Sequence, residues 1–194
     1  MNINWLVVLA LTAYAAEEKL KNGVLNWQLA KDQVKFTLHV DPSIFRDYDW
    51  YGVAFKENLT QYSMADGDYS VVWFNHTNPE KSKVHHMNTI GHHELLHNTK
   101  MYFGTQSASS ENNGLVATWT RNLNESTNQT VTLVENKQYL LLWAYGKLQG
   151  NSMQHHMHSD RYYGVVTLSQ NHTGDAENSA FHLVISWVTF YLLL

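Results

Sequence analysis

The densest set of chemically capable residues in this 194-residue chain is His92-His93-Glu94-Leu95-Leu96-His97, which contains a formal H-E-x-x-H. On a helix, that pattern holds zinc through its two imidazoles and uses the glutamate as general base. It works because residues four apart share a helical face. Here Gly91 precedes the histidines and Asn98-Thr99 follows them, so a long helix is not indicated. The extended form of the motif needs a glycine and a third histidine further on; those positions hold Lys100 and Phe103. With 12 histidines in the chain, a chance match is unsurprising. The expectation is an exposed loop or insertion and not a proteolytic zinc site.

What positions any site must be read from the rest of the chain. Residues 1–15 carry an apolar run, Trp5 to Leu11, followed by Ala13-Tyr14-Ala15. This is the order of a secretory signal peptide cut after Ala15. At the other end, Leu183 to Leu194 is apolar to the last residue and too short to be an ordinary membrane-spanning helix. Small residues, Gly174-Asp175-Ala176, stand before it with a short polar spacer. That order is the signal for a GPI anchor, with attachment at Gly174, or alternatively at Asn178 in Asn178-Ser179-Ala180. The domain is therefore expected over 16–174, with 175–194 as a removed propeptide, on the extracellular face of the cell membrane. Asn58, Asn75, Asn124, Asn128 and Asn171 each begin an N-x-S/T sequon, as suits a secreted glycoprotein. The chain has no cysteine, so its core must hold it together without disulfides. The formal charge of −4 and the lack of a basic stripe exclude a nucleic-acid partner.

Between the two signals the pattern is all-β. Val34, Phe36, Leu38 and Val40 alternate with Lys35, Thr37 and His39, the pattern of a half-buried strand. "WYGVAF" (50–55), "YSVVWF" (69–74), "LVATWT" (115–120), "TVTLV" (130–134), "YLLLWAYG" (139–146) and "GVVTL" (164–168) are short runs rich in β-branched and aromatic residues. Clusters such as "SASSENNG" and "NLNESTN" separate them. Short strands with turn signals between them imply a sandwich or barrel.

The order of these phrases resembles the DOMON domain, the module named for the N-terminal region of dopamine beta-monooxygenase. "LNWQLAKDQVKFTLHV" resembles its opening pair of strands, and "WYGVAF" its W-x-G-x-x-F-type strand. "SMADGDYSVVWF", "ATWTRNLN" with Arg121 and Leu123, "YLLLWAYG" and "HSDRYYGVVTL" follow in family order, so the resemblance spans about Leu25 to Leu168. It implies an immunoglobulin-like β-sandwich of DOMON type. It is similar in organisation to the GPI-anchored single-DOMON b-type cytochromes, and in type to the cytochrome domain of cellobiose dehydrogenase. That subgroup holds haem b between a methionine and a histidine. The matching methionine is Met64, at the head of "MADGDYSVVWF", and the matching histidine is His158, with His155 and His156 as rivals in the same loop. Methionine and imidazole suit a low-spin iron, the thioether favouring its reduced state. The resemblance thus implies single-electron transfer with a redox partner or small reductant. Trp50, Phe55, Trp73, Trp143 and Tyr145 are candidates either for lining such a site or for ordinary core. Two other readings stand beside this one: a haem-free module binding a glycan or a protein, and a surface metal binder using "HHMNTIGHHELLH" and "HHMH".

Overall fold

Strict alternation builds the first sheet. In β2 (Gly23–Ala30) and β3 (Gln33–Val40), Leu25, Trp27, Leu29, Val34, Phe36, Leu38 and Val40 are all buried, and their strand neighbours are not. The computed structural model describes residues 16–63, 67–90, 94–97, 103–125, 131–150, 152–153, 161–170 and 173–175. Within these, the chain forms a β-sandwich. One sheet also contains β1 (Ala16–Leu20), β8 (Phe103–Glu111), β9 (Gly114–Asn122) and β14 (Thr173–Asp175), in the order β14-β1-β2-β3-β9-β8. The other contains β4 (Trp50–Lys56), β5 (Asp68–Trp73), β6 (Lys83–Ile90), β7 (Glu94–His97), β10 (Gln138–Gly146) and β13 (Arg161–Thr167), in the order β13-β10-β4-β5-β6-β7. A small hairpin of β11 (Leu148–Gln149) and β12 (Ser152–Met153) follows β10.

All pairings are antiparallel except β1 with β14, where Glu18 lies opposite Gly174. The β8–β9 hairpin turns on Asn112 and Asn113, both in the left-handed region at φ 50° and 66°. Two positive φ values suit the twist of a tight hairpin, and asparagine adopts them more readily than most residues. A short helix, α1 (Pro42–Asp47), begins with a proline at its first turn and buries Ile44 and Phe45 as the chain crosses from β3 to β4.

The core between the sheets is aromatic. Phe36 of one sheet lies 5.4 Å from Phe55 of the other and 5.5 Å, stacked, from Trp119. Tyr51, Tyr139, Leu141, Trp143 and Tyr145 complete it from the second sheet.

Two expected elements come out differently. Residues 131–134 of "TVTLV" are not a strand. Their polar backbone groups are taken by other partners: Val131 N–H by the Asp68 carboxylate, and Val134 N–H and the Thr132 carbonyl by the Tyr139 hydroxyl. Leu133 is nevertheless fully buried, which accounts for the apolar pattern. Within "HHELLH", Glu94–His97 is strand β7 and not a loop, paired so that Met87 faces His97 and Ile90 faces Glu94. A strand advances about 3.3 Å per residue and so lacks the one-turn spacing that the zinc motif requires. His93 lies outside the described residues.

Candidate functional site

β4 and β10 are buried along nearly their whole length, β4 without exception. A strand facing one core alternates; a strand buried at every residue is covered on both faces. Tyr51, Val53 and Phe55 point into the sandwich with Tyr139, Leu141, Trp143 and Tyr145. The opposite, outward parity carries a separate apolar cluster: Trp50, Ala54, Tyr69, Val71, Met87, Leu140, Leu142 and Ala144. The register sets this surface out in rungs. Leu142 lies beside Ala54, which lies beside Tyr69 and then Met87; Ala144 lies beside Gly52, then Val71, then His85.

The middle of this outer face is low, because its residues are Gly52, Ala54 and Ala144. Trp50 lies flat at one end. A Cβ on Gly146 would come within 2.7 Å of the Trp50 ring, so only glycine admits the indole there. The Trp50 Nε1–H donates to the Lys147 carbonyl at 3.2 Å. Trp73, tilted against His85 at 4.3 Å between ring centroids, borders the same end. Of the aromatic residues expected to line a site, Trp50 and Trp73 therefore face outward, and Phe55, Trp143 and Tyr145 belong to the sandwich core.

Two connections cover this face. Leu59, from residues 57–67 between β4 and β5, packs on it, as do Leu148 and Met153 of the β11–β12 hairpin. They arrive from opposite ends of the strands, since the first leaves β4 beside Leu140 and the second leaves β10 beside Trp50. Lys56, buried at the end of β4, donates through Nζ to the Ser63 carbonyl at 3.2 Å, and Met64 is the next residue. His155, His156 and His158 follow Met153 within five positions. The side chains of Met64, His155, His156 and His158 lie outside the described residues, as do Asn128, Asn171 and Asn178. Gly174 sits in β14.

On the inner side of β5, directly behind this face, is a buried ionic cluster. The Asp68 carboxylate accepts from Arg121 Nη2 at 2.8 Å, from the Val131 N–H at 2.8 Å and bonds to His86 Nε2. Arg121 comes from β9, so the pair ties the two sheets together. Burial by itself would raise the Asp68 carboxyl; the Arg121 guanidinium, the His86 imidazole and the Val131 N–H outweigh it and hold the carboxyl below its usual value. Sequence reading passed over this cluster. Its trace was Arg121 standing at an inward position after Leu115, Ala117 and Trp119.

His85 and His86, consecutive on β6, point to opposite faces, one against Trp73 and the other against Asp68. They cannot serve one surface metal together. Among the described residues, no group of three or more histidine, aspartate or glutamate side chains is placed to hold a metal ion. Asn58 and Asn124 are exposed, and Asn75 is half-buried in a turn. In Asn58-Leu59-Thr60 and Asn75-His76-Thr77, the threonine hydroxyl donates to the asparagine Oδ1 at 2.9 Å.

No family model matches the chain, and no curated protein matches it in sequence. Solved structures match in fold. The cytochrome b domain of pyranose dehydrogenase from Coprinopsis cinerea aligns with a TM-score of 0.51 at 12% identity, over 74% of this chain and 76% of that one. The cytochrome domain of Myriococcum thermophilum cellobiose dehydrogenase aligns with a TM-score of 0.51 at 12% identity, over 76% of each chain.

Proposed function

We propose that this protein is a b-type cytochrome module that takes haem b against the outer face of the second sheet. The observation that carries this reading is the second apolar cluster on that face, roofed by the two connections that lead to Met64 and to His155, His156 and His158. A flat macrocycle needs a broad dry surface without projecting side chains. The Gly52, Ala54 and Ala144 floor between Trp50, Tyr69 and Leu142 has that character. Met64 and one histidine, His158 by its position in the loop, would hold the haem iron. Bound haem would supply single-electron chemistry; the chain's part is to ligate, orient and keep water away. The fold shared with the cytochrome domains of two sugar dehydrogenases supports the same reading. The test is the visible spectrum of protein purified from a haem-replete host. A Soret band in stoichiometric amount that shifts on reduction is expected; a colourless protein that takes up no haem on reconstitution refutes the proposal.

The secretion signals make this a cell-surface protein in the same proposal, glycosylated at Asn58, Asn75, Asn124, Asn128 and Asn171. Processing at Gly174 would sever β14 before Asp175, whereas processing at Asn178 would leave that strand whole. A phosphatidylinositol-specific phospholipase is expected to release the protein from intact cells. Retention after the enzyme, with the lipid shown to be cleavable, would point to another attachment.

A further inference from the structure

Tyr62 and Tyr163 form the only exposed tyrosine pair among the described residues. Their rings are 4.5 Å apart between centroids, tilted by 32°, and each residue is about half exposed, at 53% and 54%. Tyr51, Tyr69, Tyr139 and Tyr145 are buried, and Tyr48 and Tyr162 are half-buried. The contact is long-range. Tyr163 is on β13, and Tyr62 is in the connection that leaves β4, two strands away across β10. At about 4.8 Å per strand, the connection reaches back roughly 10 Å over the outer face to make it. Tyr163 lies beside Leu142 and Val165 beside Leu140 in the register, so the pair sits at the edge of that face.

We propose that Tyr62 and Tyr163 are a site of oxidative cross-linking, joined as an intramolecular dityrosine that straps the 57–63 segment to β13. The oxidant is of the peroxidase class, with hydrogen peroxide as terminal acceptor. Each phenol gives up one electron and one proton. The two phenoxyl radicals couple between ring carbons ortho to oxygen, and a carbon–carbon bond forms. The two ortho hydrogens then move to the oxygens as the rings regain aromaticity. The net loss is two hydrogens, and one peroxide becomes two waters. Exposure allows the oxidant to reach both phenols and leaves both side chains free to turn from a tilted stack to edge-on approach. The contact removes the search for a partner, since radicals generated on these two rings are already neighbours. The chain has no cysteine, so no disulfide can provide a covalent strap here. The inference rests on this ring pair and is independent of haem binding.

Dilute purified protein treated with a peroxidase and hydrogen peroxide is the test. The expected product is a monomer lighter by two hydrogens, with dityrosine fluorescence, whose digest contains the Tyr62 and Tyr163 peptides joined. Tyr62→Phe and Tyr163→Phe should each abolish that product while keeping the wild-type circular dichroism. The linked protein should also unfold at higher urea, because a bridge between distant positions restricts the unfolded chain. A link that persists in either variant, a product found only between molecules, or no joined peptide in the wild type would overturn the proposal.

Discussion

Replacing Asp68 with alanine is expected to destabilise the protein by about 3–5 kcal/mol, the usual result of stripping one partner from a buried ion pair. The measurement is a urea midpoint lowered at unchanged slope. Asp68 is 2% exposed and Arg121 6%, so neither group can turn to water when the other is lost. Alanine would leave the Arg121 guanidinium, the His86 imidazole and the Val131 N–H together without their shared acceptor. The double replacement Asp68→Leu with Arg121→Met is expected to recover only part of that loss, because it removes the stranded guanidinium but still leaves the His86 imidazole and the Val131 N–H without the carboxylate. A loss below about 1 kcal/mol in Asp68→Ala, the range of an exposed pair, would contradict this account. The same carboxylate sets an acid limit. Its folded pKa is depressed, so its contribution is complete above the unfolded carboxyl's value of about 3.9. The contribution fades as pH falls below that value and through the lower folded one. In Asp68→Asn, the pH dependence of the urea midpoint in this acid range should shrink.

Met64→Leu is expected to produce the largest functional change under the cytochrome proposal. Leucine keeps the size and apolarity of methionine, so the apoprotein should unfold at a similar urea concentration. It has no sulfur, so the haem-loaded variant should lose the low-spin reduced spectrum. Its potential should fall by on the order of 0.1 V, within the roughly 0.8 V that axial ligands command. Separate His155→Ala, His156→Ala and His158→Ala variants should single out one position, His158, whose loss removes the other ligand. An unchanged reduced spectrum and potential in Met64→Leu would refute Met64 as a ligand, even if the protein proved to bind haem.

The sequence by itself determined most of the sandwich. The strands expected at 34–40, 50–55, 69–74, 115–120, 139–146 and 164–168 lie within about three residues of those observed, because each carries its own local pattern. The pattern of Val34, Phe36, Leu38 and Val40 needs no knowledge of what covers them, only of the period-two geometry of a strand. Even the two-sided burial of β10 was written locally, in the unbroken run of "YLLLWAYG". Other features depended on partners far away in the chain. "TVTLV" looks like a strand, but the nearby Tyr139 hydroxyl takes up two of its backbone groups and Asp68, 63 residues before Val131, takes up another, and that distant carboxylate cannot be read with it. "ELLH" becomes a strand by pairing with β6. Trp50 and Trp73 part company with Phe55, Trp143 and Tyr145 only once the register assigns each to a face. The outer apolar face, the Asp68–Arg121 tie between sheets and the Tyr62–Tyr163 contact are all products of sheet order. That order depends on which strands meet over long loops, and a local pattern of apolar and polar residues does not encode the choice.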